Sequence, residues 1–303
     1  MTGTTSVLNR STADRQAGPP DPSLVRIRDL IYRVCGIYMP DNKMFFLQDR
    51  LNRRLRELQM PSLRSYQELL TSGKDRDTET RNLLNEITVG ETTFFRNVPQ
   101  LTALQKIVIP KLLAAKANRS SPHLKFWSAG CSTGEEPYTL AIFLLENSAS
   151  LLRGCGWEIV ATDLNDHSLA KAREGVYDGY AVRNVEPALL LKYFRRQDEQ
   201  FQLSAEVKKR VSFTRLNLQN DAEILSMRAF DVIFCANVLI YFDSVSKRRA
   251  LLHFFTSLLP GGYFFLGHSE SLFGITDQFH LVHFPGATAY FRPAANAGPG
   301  GQS

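Results

Sequence analysis

Trp127-Ser128-Ala129-Gly130-Cys131-Ser132-Thr133-Gly134-Glu135-Glu136-Pro137-Tyr138 reads as the end of an apolar strand, a glycine turn and the start of a helix. In a doubly wound sheet this arrangement aims backbone N–H groups at the charged tail of a cofactor. The turn lacks the full G-x-G-x-x-G spacing, so a nicotinamide dinucleotide is not its natural ligand. Glycines at such a turn also serve packing, because tight turns need positive φ or close backbone approach whatever the function. Outward from it, apolar strand candidates at 124–128, 158–162, 211–215, 231–235 and 262–267 alternate with helix candidates, the order of a parallel sheet flanked by helices. Segments 279–284 and 287–291, joined by Pro285-Gly286, predict a terminal antiparallel hairpin. Between Val176 and Val211, Tyr177, Tyr180, Tyr193, Phe194 and Phe201 stand among polar residues over a span too long for a simple connection. That span predicts an inserted helix and a small antiparallel excursion.

The chain has 303 residues, 44% of them hydrophobic, enough for one large domain or two of unequal size, each with a buried core. From Leu24 to Ile87 apolar residues recur every three or four positions, which predicts a helical domain over 21–88, ahead of an α/β domain over 89–293 with its insertion near 176–212. Residues 1–20 and 294–303 carry too little apolar content to fold and are expected to be disordered. Cys35, Cys131, Cys155 and Cys235 lie far apart, so neither a zinc site nor a disulfide framework is indicated, and a reducing cytoplasm fits. No apolar h-region or membrane-length run is present. The net charge of +6 and pI near 9.2 fit a nucleic acid, an acidic protein partner or a merely solvated surface. Arg50, Arg53, Arg54 and Arg56 crowd beside Leu47, Leu51, Leu55 and Leu58 at helical spacing, which predicts a basic helix face.

Several residues stand where ligands bind in open sheets. Asp163 ends the second strand, in position to accept hydrogen bonds from ribose hydroxyls. Glu136 starts the helix after the turn, where it either meets a ligand or complements the helix dipole. Asn217 and Leu218 follow the third strand, as an adenine amine partner and a ring contact or as ordinary loop polarity and packing. Asn237 follows the fourth strand, with Tyr241 a few residues on; a Tyr-Phe pair there is either functional or core. Arg96 offers a planar guanidinium suited to orienting a carboxylate, its alternative being a surface salt bridge. His268 in Gly267-His268-Ser269-Glu270 is suggestive, though a histidine at a strand end is more often structural. No Ser-His-Asp arrangement or metal cluster is evident.

Four strings, at 92–96, 132–138, 237–243 and 267–270, together with the pattern from about Leu24 to Pro293, closely resemble the chemotaxis receptor glutamate methyltransferases, the CheR family. The resemblance implies a helical domain followed by a Rossmann-like, class I S-adenosylmethionine-dependent methyltransferase domain with a seven-stranded sheet, a terminal antiparallel hairpin and a small β-subdomain. It also implies glutamate γ-methyl esters on methyl-accepting chemotaxis receptors, with S-adenosylhomocysteine as product. By position, Thr92, Arg96, Glu136, Asp163, Asn217, Leu218, Asn237 and Val238 match the family's cofactor contacts, to which the turn at Gly130 is added. Arg96 and Tyr241 match residues near the transferred methyl, and the arginine cluster matches the region that docks on receptor helices. Gly90 stands where relatives often have Asn, so one polar contact to the cofactor is in doubt. Residues 195–205 look shorter than the loop that grips a receptor's C-terminal peptide, which favours direct recognition of the helical bundle. The expected protein is a cytoplasmic monomer without metal, nucleic acid or membrane insertion. Two rival readings are a nucleic-acid methyltransferase, which lacks its aromatic-proline acceptor motif here, and a non-catalytic module that binds cofactor and receptor.

Overall fold

A computed structural model of the chain describes residues 21–88 and 90–294. Of the tails expected at 1–20 and 294–303, all but Ala294 lie outside the described residues. Four helices open the chain: α1 (Pro22–Cys35), α2 (Met44–Glu57), α3 (Leu63–Ser72) and α4 (Arg76–Ile87). Asp21 caps α1 by accepting from the Ser23 N–H, and Gly36 ends it at φ +72°, a conformation that disfavours any side chain. Ile27, Ile31, Leu47, Leu51, Tyr66, Leu70, Leu83 and Leu84 form one buried cluster among these helices.

Arg54 is a correction to the basic face expected from sequence. It is only 5% exposed, because positions 47, 51 and 54 recur as i, i+4 and i+7 along the apolar seam of α2. Its guanidinium donates through Nε and Nη2 to both oxygens of buried Glu79, at 2.9 and 2.7 Å, while Tyr66 donates its hydroxyl to the same carboxylate. Arg53 and Arg56 remain exposed, and Arg50 is half-buried with its guanidinium over the Phe46 ring.

The second part begins with α5 (Val98–Ala103), which runs through a wider turn into α6 (Ile109–Ala115). Then follow β1 (His123–Ala129), α7 (Glu135–Glu146), β2 (Gly156–Asp163) and α8 (Asp166–Glu174). An insertion carries β3 (Val176–Asp178), α9 (Pro187–Tyr193), β4 (Phe194–Gln197), β5 (Gln200–Leu203) and α10 (Ala205–Lys208). The main sheet resumes with β6 (Val211–Arg215), α11 (Asp221–Ile224), β7 (Phe230–Cys235), α12 (Ser244–Ser257) and β8 (Leu258–Leu266). It closes with the hairpin β9 (His280–Phe284) and β10 (Ala287–Phe291).

Seven strands form one sheet in the order β6-β2-β1-β7-β8-β10-β9, parallel through β8 and antiparallel beyond it. Strand neighbours alternate faces, so Phe126, Ile159 and Val232 join one core while Trp127 and Ile233 join the other, against Leu251 and Phe254 of α12. Burial on both faces explains the near-continuous apolar strands. Asp231 is the exception within β7; it is neutralised by Lys116 at 2.5 Å and accepts the Lys125 N–H. The last parallel strand starts at Leu258, earlier than the expected 262, because Leu258 pairs with Phe230 of β7 ahead of a register irregularity between Phe230 and Val232. The insertion forms a separate antiparallel sheet, β3-β5-β4.

β1 is flanked by β2 on one side and β7 on the other, so the chain reverses direction of winding there. The carboxyl ends of β1, β2, β6, β7 and β8 therefore open onto one crevice, the usual place for a ligand in such a sheet.

Candidate active site

A cavity of about 870 Å³ fills that crevice, within the size range of small-molecule sites. Its wall brings together all ten residues that sequence reading selected for the cofactor and the reaction, from Thr92 and Arg96 to Asn237, Val238 and Tyr241. They come from segments as much as 149 positions apart, from Thr92 to Tyr241.

The turn after β1 is shaped by its own backbone. Gly130 and Cys131 both donate to the Thr162 carbonyl, at 2.7 and 2.9 Å, and the Gly134 N–H returns to Cys131 at 3.0 Å. Gly130 has φ +75°, and a Cβ there would press into Val238 Cγ2, so the turn and the segment after β7 approach as closely as they do only because position 130 is glycine. Ser132, also at positive φ, donates its N–H to Asp163 Oδ2 at 2.8 Å, and Asn165 donates to Oδ1 at 2.8 Å. These bonds lock the Asp163 carboxyl while leaving lone pairs toward the cavity; burial raises its pKa, against the backbone bonds that lower it. Ser132 Oγ is buried on the same wall without a hydrogen-bond partner among the described residues, a donor and acceptor that sequence reading missed although it lies within the glycine turn.

The segment carrying Arg96 is anchored by Phe94, which is fully buried edge-on to Tyr177 and Phe194 at 4.8 and 5.1 Å. Phe94 N–H bonds the Ala181 carbonyl and Phe95 N–H bonds Thr139 Oγ1, each at 3.0 Å. The insertion thus holds this segment to the sheet. Tyr177 also donates to the Thr133 carbonyl at 2.8 Å, and Tyr180 to the Glu91 carboxylate. Arg96 itself is exposed, its Nη1 donating to the Glu91 carbonyl at 3.2 Å. Tyr241 is 45% exposed on a short helical turn, Leu239–Tyr241. His268 lies exposed on the wall.

Helices α1 and α4 complete the cavity, through Cys35, Ile37, Ile87 and Thr88. Asn217 donates to the Val34 carbonyl at 2.6 Å and accepts from Gln219 N–H, so its amide first of all ties the sheet to α1. Asn165 Nδ2 reaches the Asn85 and Thr88 carbonyls at 2.9 and 2.8 Å, and Tyr38 N–H donates to the Tyr241 carbonyl at 2.9 Å. Sequence reading missed this contribution, since nothing local marks a helix end that packs on a sheet more than a hundred residues away.

Residues 22–88 match the family model described as the CheR methyltransferase all-alpha domain, and residues 90–287 match the CheR methyltransferase SAM binding domain. The chain belongs to the CheR methyltransferase family. Among similar proteins are chemotaxis protein methyltransferase 2 of Vibrio cholerae, 38% identical over 277 residues that cover 90% of this chain and 93% of that one. The chemotaxis protein methyltransferase of Escherichia coli is 34% identical, covering 92% and 94%. Chemotaxis protein methyltransferase 1 of Pseudomonas aeruginosa is also 34% identical, covering 84% and 92%. As a CheR methyltransferase, the protein uses S-adenosylmethionine. Its cavity fits that cofactor: the glycine turn lines it at Gly130, the Asp163 carboxyl suits a ribose diol, and the buried Ser132 Oγ offers a polar atom on the same wall.

Glu136 gives this CheR site a pH signature. Its carboxyl is pushed up to about 7, first by burial and then by the neighbouring Glu270 carboxylate, against the lowering effects of the Ser128 hydroxyl at 2.6 Å and of Arg96. The folded apoprotein therefore holds a proton there that the unfolded chain has lost, and its stability falls as pH rises from 4.5 to about 7. A cationic cofactor bound beside Glu136 would favour the ionised form and release that proton. Affinity for S-adenosylmethionine is expected to rise by up to roughly tenfold per pH unit below 7 and to level off above it. Calorimetry in two buffers of different ionisation enthalpy near pH 6 should show proton release, absent in Glu136→Gln. Glu135 is also pushed up to about 7 by burial, but it does not line the cavity and should not respond to the cofactor.

Proposed function

We propose that this protein transfers the methyl group of S-adenosylmethionine to glutamate side chains on the cytoplasmic helices of methyl-accepting chemotaxis receptors, giving γ-methyl esters and S-adenosylhomocysteine. The observation that carries the reading is the exposure of Arg96 and Tyr241 on the wall of the same cavity as the cofactor-type residues. Similarity to chemotaxis protein methyltransferases over nine tenths of the chain supports it.

The cofactor, when bound, supplies a sulfonium-activated methyl with a good leaving group. A glutamate acceptor is already ionised near neutral pH, so no general base is needed. With the cofactor held there, its methyl would pass to one carboxylate oxygen and the electron pair of the broken carbon–sulfur bond would stay on sulfur. What this chain contributes is placement. Arg96 orients the acceptor carboxylate through a fork of N–H donors without removing its nucleophilic lone pair, and the Tyr241 hydroxyl bonds the same group from the turn after β7. Thr92, Gly130, Glu136, Asp163, Asn217, Leu218, Asn237 and Val238 hold the cofactor across the strand ends.

Docking falls to Arg53 and Arg56, exposed on α2, with the edge of Arg50 beside them. An acidic helical bundle is the matching surface, met directly by a monomeric cytoplasmic enzyme rather than through a peptide tether. Charge reversal at both, R53E with R56E, is expected to lower kcat/KM for receptor fragments by about tenfold while KM for S-adenosylmethionine holds. Raising salt should shrink that difference.

The deciding experiment incubates methyl-labelled S-adenosylmethionine with receptor cytoplasmic fragments, then applies mild alkali and collects volatile methanol. Labelled methanol from the receptor fraction supports a carboxyl ester; cofactor binding without alkali-labile label on any receptor would remove the reading.

A further inference from the structure

The string Gly267-His268-Ser269-Glu270 has no part in the chemistry above, yet it makes an unusual contact. Glu270 Oε2 accepts two backbone N–H groups at once, from Asn237 at 2.7 Å and from Gly267 at 2.9 Å. These are residues just past the ends of β7 and β8, so one carboxylate oxygen staples two neighbouring strand ends. Asn237 needs such a hold, because it sits at φ +61°, a left-handed conformation that costs a non-glycine residue energy unless its surroundings enforce it. Gly267 makes room for the hold. A Cβ at that position would lie 2.7 Å from Glu270 Oε2 and 2.9 Å from the Asn237 nitrogen. The other oxygen, Oε1, is buried with no hydrogen-bond partner among the described residues.

We propose that Glu270 is a positioning residue for cofactor binding, which holds Asn237 in its left-handed conformation so that the Asn237 amide and Val238 meet the cofactor. The role belongs to acceptor geometry rather than to charge. The inference rests on Asn237 being a cofactor contact, and the variants separate the two claims.

Glu270→Gln keeps an acceptor oxygen at the same reach and removes the charge. Glu270→Asp keeps the charge and withdraws the oxygens by one carbon–carbon bond, about 1.5 Å, so that both N–H groups can no longer be reached. Cofactor affinity by calorimetry, KM for S-adenosylmethionine and kcat at saturating cofactor are measured for each. The expected result is a KM raised on the order of tenfold for E270D, with kcat within about twofold, and near-normal values for E270Q. Asn237→Ala alone should weaken cofactor binding, and adding E270D to it should cost little more, because the clamp then has no amide to place. Normal binding by E270D, impairment of E270Q as great as that of E270D, or additive losses in the double variant each overturn the proposal. Normal binding by N237A removes the Asn237 contact and the proposal with it, whereas impaired N237A beside normal E270D rejects the clamp alone.

Discussion

Arg96→Ala is expected to lower methyl transfer to receptor fragments by roughly two orders of magnitude, the loss expected when the group that holds a reacting carboxylate in line is removed. The fold should survive. Arg96 is exposed and, among the described residues, makes one hydrogen bond, to the Glu91 carbonyl, so its loss should change stability by no more than about 0.5 kcal/mol. The segment around it is held instead by buried Phe94 and by the Phe94 and Phe95 N–H bonds, none of which the substitution touches. Arg96→Lys should recover only part of the activity, since a point charge cannot present a planar fork to a carboxylate. The alkali-released methanol assay, run beside a thermal melt, measures both quantities. Methyl transfer at the unaltered rate in R96A would refute the assigned role, and a collapse of the melt would place the arginine in the architecture instead.

The glycine turn was readable in the sequence because its physics is local: a strand end, positive φ and a helix start occupy a dozen consecutive residues, and Gly130 and Gly134 both take positive φ. The terminal hairpin was readable for the same reason, with Gly286 turning at φ +73° between β9 and β10. What stayed hidden depends on contacts between distant segments. Asn217 looked like a ligand for adenine, yet its amide also reaches the Val34 carbonyl across 183 positions, and no spacing rule reports that. Cys35 and Ile87 joined the cavity wall only because the helical part packs over the strand ends. Glu270 was visible as part of a string, but its partners are backbone groups whose geometry exists only after β7 and β8 are paired. Arg54 failed in the opposite direction. A run of arginines on an amphipathic helix suggested one charged face, but a buried carboxylate on another helix admitted the one that falls on the seam.

That buried pair carries the largest expected effect on stability. Glu79 is 4% exposed and accepts from Arg54 at both oxygens, from the Tyr66 hydroxyl and from Asn82 Nδ2 at 3.2 Å, joining α2, α3 and α4 at one point. Burial alone would raise its pKa, but the bonds from Arg54, Tyr66 and Asn82 prevail and hold it below the usual carboxylate value. Its contribution is therefore present at neutral pH and is lost as acid protonates the folded protein. Glu79→Ala leaves the Arg54 guanidinium buried, with the exposed end of Glu57 its remaining counter-charge among the described residues, and should cost about 3 to 5 kcal/mol. A drop in melting temperature of about 10 °C or more should follow, concentrated in the helical part. Removing both charges is expected to be milder than removing one. Arg54→Met with Glu79→Leu fills similar volume without stranding an ion, so the double variant should melt above Glu79→Ala and closer to the unaltered protein. Additive losses in that cycle would mean that the two side chains stabilise the helices independently, through packing rather than through each other.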